Sequence, residues 1–147
     1  MLDEIFPFNI TLQTLDGIVS HNGELELDEY RPIPLKDFNE FDKRIENCYT
    51  QEGYMTTLTP STLEGCVVRI SDIIAYLGKD RQDAILTHIA TNNDFTNSEI
   101  GLINSEIINN ITTNIIENSF DKPYIKMDKE YFDALKLAKS ENYQKIY

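Results

Sequence analysis

Apolar residues recur at intervals of three and four through most of this chain, and no alternating apolar–polar run of strand length interrupts them. Leu12, Leu15, Ile18 and Val19 predict a helix over residues 10–19, capped by Asn9 or Thr11. Phe38, Phe41, Ile45 and Cys48 fall on one side of a second helix over 36–49. The longest pattern covers 62–85. Pro60 precedes it, Ser61 or Thr62 can cap it, and Glu64 places an acid at the positive end of its dipole. Gly78 is expected to end or kink this helix, with Asp80 capping a short one through Ala90. Ile100, Ile103, Ile107, Ile108, Ile111 and Ile115 predict a helix over 98–117. That segment is rich in Asn and β-branched Ile, so burial rather than propensity must hold it. Asp128 is expected to cap a last helix that carries Tyr131, Phe132, Leu135, Leu137 and Ala138 toward Tyr147.

The connections read as turns and loops. Asn22-Gly23 marks a turn, and Gly53 interrupts an irregular stretch over 50–59. Residues 92–96 form a loop, and Asp121-Lys122-Pro123 stops the Ile-rich helix. The acidic stretch 25–35, punctuated by Pro32 and Pro34, is expected to lie on the surface as a loop. The result is an all-α chain of five to seven helices, a single domain over 1–147, with no internal repeat.

Chemistry concentrates in the long central helix. Asp72 lies among Val67, Val68, Ile70, Ile73 and Ile74, where a carboxylate is costly to bury without a partner. Asp72, Tyr76 and Asp80 are spaced i, i+4, i+8. At about 100° per residue they drift only about 40° per step and share one face. A metal ion or polar ligand would give the acid a partner; a polar edge meeting water is the simpler alternative. Arg69, three residues earlier, is expected to make a surface ion pair, to pair with Asp72 or to reach a phosphate. Lys79, Arg81 and Asp83 read as a solvated helix start. His21 either closes a helix C-terminus or belongs to a site, and His88 is expected to be a partly buried structural residue.

Charge narrows the partners. Among 147 residues the net charge is −12, which argues against a nucleic-acid surface or docking on anionic membranes. Such a chain attracts cations, and a bound divalent ion would make a local site positive enough for an anionic substrate. No apolar run reaches the length of a membrane span. The first residues, MLDEIFPF, lack the basic segment of a secretion signal. Cys48 and Cys66 have no metal-site spacing and are expected to be reduced thiols in a cytoplasmic protein. No Gly-rich phosphate loop, nucleophile elbow or Cys–His pair is present.

Three segments together resemble a known family. TLEGCVVRISDIIAYLGKDRQDAI, residues 62–85, resembles the last conserved helix of the HD-domain phosphohydrolases, in the dGTPase-like branch of deoxynucleoside triphosphate triphosphohydrolases. LQTLDGIVSHNGE, residues 12–24, resembles the family's preceding helix with its His-containing end. YIKMDKEYFDALKLAKSENYQKIY, residues 124–147, resembles a later helix ending in an NYxxIY pattern. The order agrees, and the three cover about half the chain.

The resemblance implies an all-helical HD-like bundle. It also implies a divalent metal of the Mg or Mn type, held by His, His-Asp and Asp ligands, and water attack that releases triphosphate from a nucleotide. Asp72 matches the last metal ligand. Tyr76 and Asp80 match positions that contact the deoxyribose, and His21 matches a histidine near the site that touches phosphate or assists catalysis. The chain departs from the family: it has no His-Asp dipeptide, and His21 and His88 are its only histidines. It therefore resembles the back part of such a domain, and the isolated chain is expected to be inactive with weak or absent metal binding. Two alternatives stand beside that expectation: a helical interaction module, and a chain complemented by a partner that supplies the missing ligands. Uncovered apolar surface is expected to drive self-association into a homo-oligomer.

Overall fold

A computed structural model describes residues 9–21 and 26–147. Its described residues form five α-helices: α1 Leu12–Ser20, α2 Phe38–Thr50, α3 Leu63–Leu86, α4 Asn104–Ser119 and α5 Lys129–Lys145. Short 3-10 turns occupy Tyr54–Thr57 and Asn92–Asp94. The Asn22-Gly23 turn expected from sequence lies outside the described residues. The all-α expectation holds, with one addition. A two-residue strand β1, Glu29–Tyr30, pairs antiparallel with β2, Ile125–Lys126, in the register Glu29 to Lys126 and Tyr30 to Ile125. Two residues are too short for a period-2 signal, so this pair leaves no trace in the hydrophobic pattern.

The helix α3 is the axis of the bundle. Thr62 caps it, its side chain accepting from the amide of Gly65 at 3.0 Å. The helix runs 24 residues without a break, which corrects the expectation that Gly78 ends or kinks it and that Asp80 caps a new one. Gly78 serves close packing instead. A Cβ built there would lie 2.7 Å from the Cα of Asn104, at the start of α4. The absence of a side chain lets α4 approach α3, and α3 terminates only at Thr87. Just beyond, His88 adopts a left-handed conformation (φ 59°), and Ile89 and Ala90 donate back to the Ala84 carbonyl at 2.9 and 3.2 Å. His88 is exposed, not the partly buried residue expected. It stands where the chain reverses, at a position that glycine more often fills.

The core gathers on one side of α3. Cys66, Ile70, Ile74 and Leu77 meet Ile100, Ile107 and Ile111 from α4 and its lead-in, and Ala134, Leu135 and Ala138 from α5. Ile100, Ile107 and Ile111 are thus core, while Ile103 and Ile108 face outward. The helix of this Ile-rich segment begins at Asn104 rather than near Ser98. Gly101 (φ 87°) turns the chain first, and the Glu106 carboxylate accepts from the amide of Leu102 at 3.0 Å. The stretch 25–35 is not a plain surface loop: Tyr30 is buried in the main core, and its hydroxyl accepts from the Leu27 amide at 3.0 Å. On α1 the inward positions include Asp16. Arg44 lies 3.3 Å from that carboxylate, and the Ser61 amide donates to it at 2.6 Å, which fixes the approach to α3.

Candidate functional site

Asp72, Tyr76 and Asp80 line one groove of about 750 Å³ between α3 and α5. Their common helical row forms one wall. The other wall is Lys139, Asn142 and Tyr143 on α5, with Tyr147 just past its end. Asp72 and Asp80 are half-buried and Tyr76 is exposed. The apolar neighbours that made Asp72 look costly do not bury it, because Val67 and Val68 themselves face outward. Water reaches the acid, and the desolvation puzzle posed by the sequence disappears.

The α5 wall is positioned by a residue next to Asp80. Arg81 is 2 % exposed, which corrects its assignment to a solvated cluster; Lys79 and Asp83 do pair at the surface, at 2.6 Å. Arg81 Nε donates to Asn142 Oδ1 at 2.9 Å and Nη2 to Glu141 Oε2 at 2.8 Å. Its guanidinium stacks over the Phe95 ring, 4.6 Å from the centroid. Asn142 in turn donates to the Leu77 carbonyl at 2.9 Å. Glu141 also accepts from the amide and hydroxyl of Thr96 at 3.1 and 2.6 Å. Burial pulls the Arg81 pKa down and the Glu141 carboxylate opposes that pull. Asp80 and Arg81 are thus neighbours with opposite tasks: one faces the groove and the other clamps the helix that forms its far wall.

Arg69 is likewise buried, at 1 % exposure, and is not the surface ion pair expected. It donates to the Leu58 carbonyl and stands over the Tyr30 ring. Burial also pushes the Cys66 thiol up to about 11, so this thiol stays protonated and unreactive at neutral pH.

His21 lines a different hollow, of about 670 Å³, with Gly17 and Ile18 of α1 and Thr62, Glu64 and Val68 at the start of α3. Its Nδ1 lies 2.6 Å from the Ile18 carbonyl, so Nδ1 carries the proton and donates. The ring therefore closes the end of α1. Glu64 and Val68 precede Asp72 on the same i+4 row, so the two hollows follow one another along α3 without sharing a lining residue. Lys139, Asn142, Tyr143 and Tyr147 were not singled out in the sequence. Their one signal was their place in the NYxxIY-containing segment.

Among the described residues no three His, Cys, Asp or Glu side chains come together as a metal site. The second acid of the groove, Asp80, accepts a hydrogen bond from the Tyr147 hydroxyl at 2.7 Å.

Known proteins support the resemblance. The chain is similar to a deoxyguanosinetriphosphate triphosphohydrolase-like protein of Caldanaerobacter subterraneus subsp. tengcongensis, 35 % identical over 91 residues, covering 60 % of this chain and 27 % of the relative. It is also similar to proteins of that description from two strains of Clostridium perfringens, 27 % and 26 % identical over 147 residues, covering 95 % of this chain and 34 % of each relative. The chain spans about a third or less of the length of the curated relatives it matches. No family model matches it, and no solved structure does. The relationship to dGTPase-like proteins read from the sequence is borne out.

Proposed function

We propose that this chain forms the nucleotide-holding part of a dGTPase-like triphosphohydrolase of the HD type and that, alone, it binds a deoxynucleoside triphosphate without cleaving it. One observation carries the reading: Asp72, Tyr76 and Asp80, matched to the family from sequence alone, line a single groove with α5 as its other wall. Asp80 is an acceptor for a sugar hydroxyl. Tyr76 and Tyr143 present aromatic surface for a base or sugar to pack on. Lys139, which pairs with Glu26, brings a cation to a groove that otherwise carries acids. No hydrolytic step is assigned to these residues. In the intact family site the ion supplies the activated water, and Asp72 is the residue of this chain that would contribute to holding it.

The test is direct. Purified chain mixed with dGTP and manganese should bind the nucleotide, by calorimetry or by tyrosine fluorescence, and release no triphosphate. Robust triphosphate release would overturn the reading of inactivity, and absence of any nucleotide binding would overturn the assignment of the groove.

A second reading, a helical module that assembles with a second copy, is favoured by a different surface. Val67, Ile116 and Phe120 are exposed beside Ile70 and Ile74 in an apolar cleft between α3 and α4. Sedimentation of the chain across a wide concentration range distinguishes the two: a monodisperse monomer at high concentration removes the second.

A further inference from the structure

The groove already contains a hydroxyl donor of its own. α5 ends at Lys145. Ile146 caps it, its amide donating to the Asn142 carbonyl at 2.9 Å, and packs on the small cluster of Ala84, Ala90 and Phe95. That anchor places Tyr147 over the groove, where its hydroxyl donates to Asp80 Oδ2 at 2.7 Å. The Tyr147 ring is 80 % exposed, so little burial holds it and the side chain can swing aside at small cost. The Asp80 bond raises the pKa of the phenol, so Tyr147 remains a donor through the neutral range. A carboxylate only accepts. A ligand hydroxyl and the Tyr147 phenol are therefore chemically equivalent guests, and they compete for the same side chain.

We infer that Tyr147 is a specificity-determining gate: its phenol occupies Asp80 in the free chain, and a ligand's sugar hydroxyl must displace it to bind. This deepens the nucleotide reading and rests on it. A closed fraction of the free protein lowers apparent affinity by that fraction. The cost falls on ligands that need Asp80 and spares those that do not. Removing the phenol should therefore sharpen discrimination in favour of the hydroxyl.

The experiment compares the wild-type chain with Tyr147→Phe, which keeps the exposed ring and deletes only the donor. Metal-free calorimetry with dGTP and with its 2′,3′-dideoxy analogue reads the effect, with thermal melts confirming equal folding. We expect Tyr147→Phe to tighten dGTP by roughly 3–10-fold, the size of one modest hydrogen bond, and to leave the dideoxy analogue within about twofold. Carbon-labelled tyrosine spectra of the wild type should show the Tyr147 phenol leaving Asp80 as dGTP saturates, reproducing the ligand-free spectrum of Asp80→Ala. Unchanged or weaker dGTP binding by Tyr147→Phe would overturn the gate and make Tyr147 a support for Asp80. Equal tightening of both nucleotides would overturn it in favour of simple steric relief. If neither protein binds either nucleotide, the reading of the groove fails and the gate fails with it.

Discussion

Arg69 and Arg81 lie on the packed side of α3, almost wholly out of water, while Asp72 and Asp80 lie on its open row within reach of water. The two pairs sit on one helix only a few residues apart. Charge alone therefore did not decide which would be buried. The supply of partners did. A guanidinium offers five donors in a fixed fork, and at Arg81 Nε and Nη2 meet Asn142, Glu141 and the Ala138 carbonyl. The carboxylates accept only. Asp72 and Asp80 remain at a groove where a ligand can supply donors. The packed side stores structure, and the open row is where the proposed ligand would bind.

Substitutions on the two sides should separate those roles. Arg81→Ala leaves Glu141, itself largely buried, without its cation and detaches α5 from α3. The expected loss is about 3–5 kcal/mol in urea unfolding, whereas Lys79→Ala at the surface pair should cost under about 0.5 kcal/mol. A smaller effect tests the continuity of α3. If Gly78 were a helix weakness, Gly78→Ala would stabilise by close to 1 kcal/mol. The contact with the Asn104 backbone instead predicts a loss of about 1–3 kcal/mol, as in other overpacked sites.

Acidification probes the seam of α4 and α5. Asp128 accepts from Asn114 at 2.7 Å and from Asn118 at 3.1 Å, and these bonds hold its carboxyl below the usual 3.8. A depressed folded pKa means its contribution is complete above 3.8 and is lost as pH falls through that value toward the folded one. Asp94, held down by the Thr91 amide and hydroxyl, has the same sign. Urea midpoints should therefore fall below about pH 4, and Asp128→Ala should flatten that limb. The smallest stability effect belongs to the open row. Tyr76→Ala should change stability by less than about 0.5 kcal/mol while weakening dGTP binding roughly tenfold, the scale of one stacked ring. Destabilisation by Tyr76→Ala as large as that by Arg81→Ala would erase the distinction between the two sides.

Periodicity made the helices legible, and the i, i+4, i+8 spacing made Asp72, Tyr76 and Asp80 legible as one face. Thr62 was readable as a boundary because its cap is written locally; Asp128 marks the start of α5, but its carboxylate accepts from Asn114 and Asn118 instead of capping that helix. What stayed hidden depended on distant residues. Gly78 reads as a breaker until Asn104 is seen pressed against it. Arg81 reads as solvated until Glu141 and Asn142 arrive from α5. Tyr30 reads as loop because its burial comes from a two-residue pairing. The far wall of the groove, Asn142 and Tyr143, was beyond local reasoning for the same reason: it faces Asp72 only after α5 docks.

The pairing of Glu29–Tyr30 with Ile125–Lys126 bears on how the molecule assembles. Helical bundles fold fast because most of their contacts are local. This pair joins an early segment to a late one, so the chain between them must be looped before it can form, and the entropy of closing that loop is lost before the contact returns anything. Tyr30 reaches its place beside Cys66 and Met127 only at that moment. The bridge is therefore expected to form late, with the core around Tyr30 closing after the helices rather than with them.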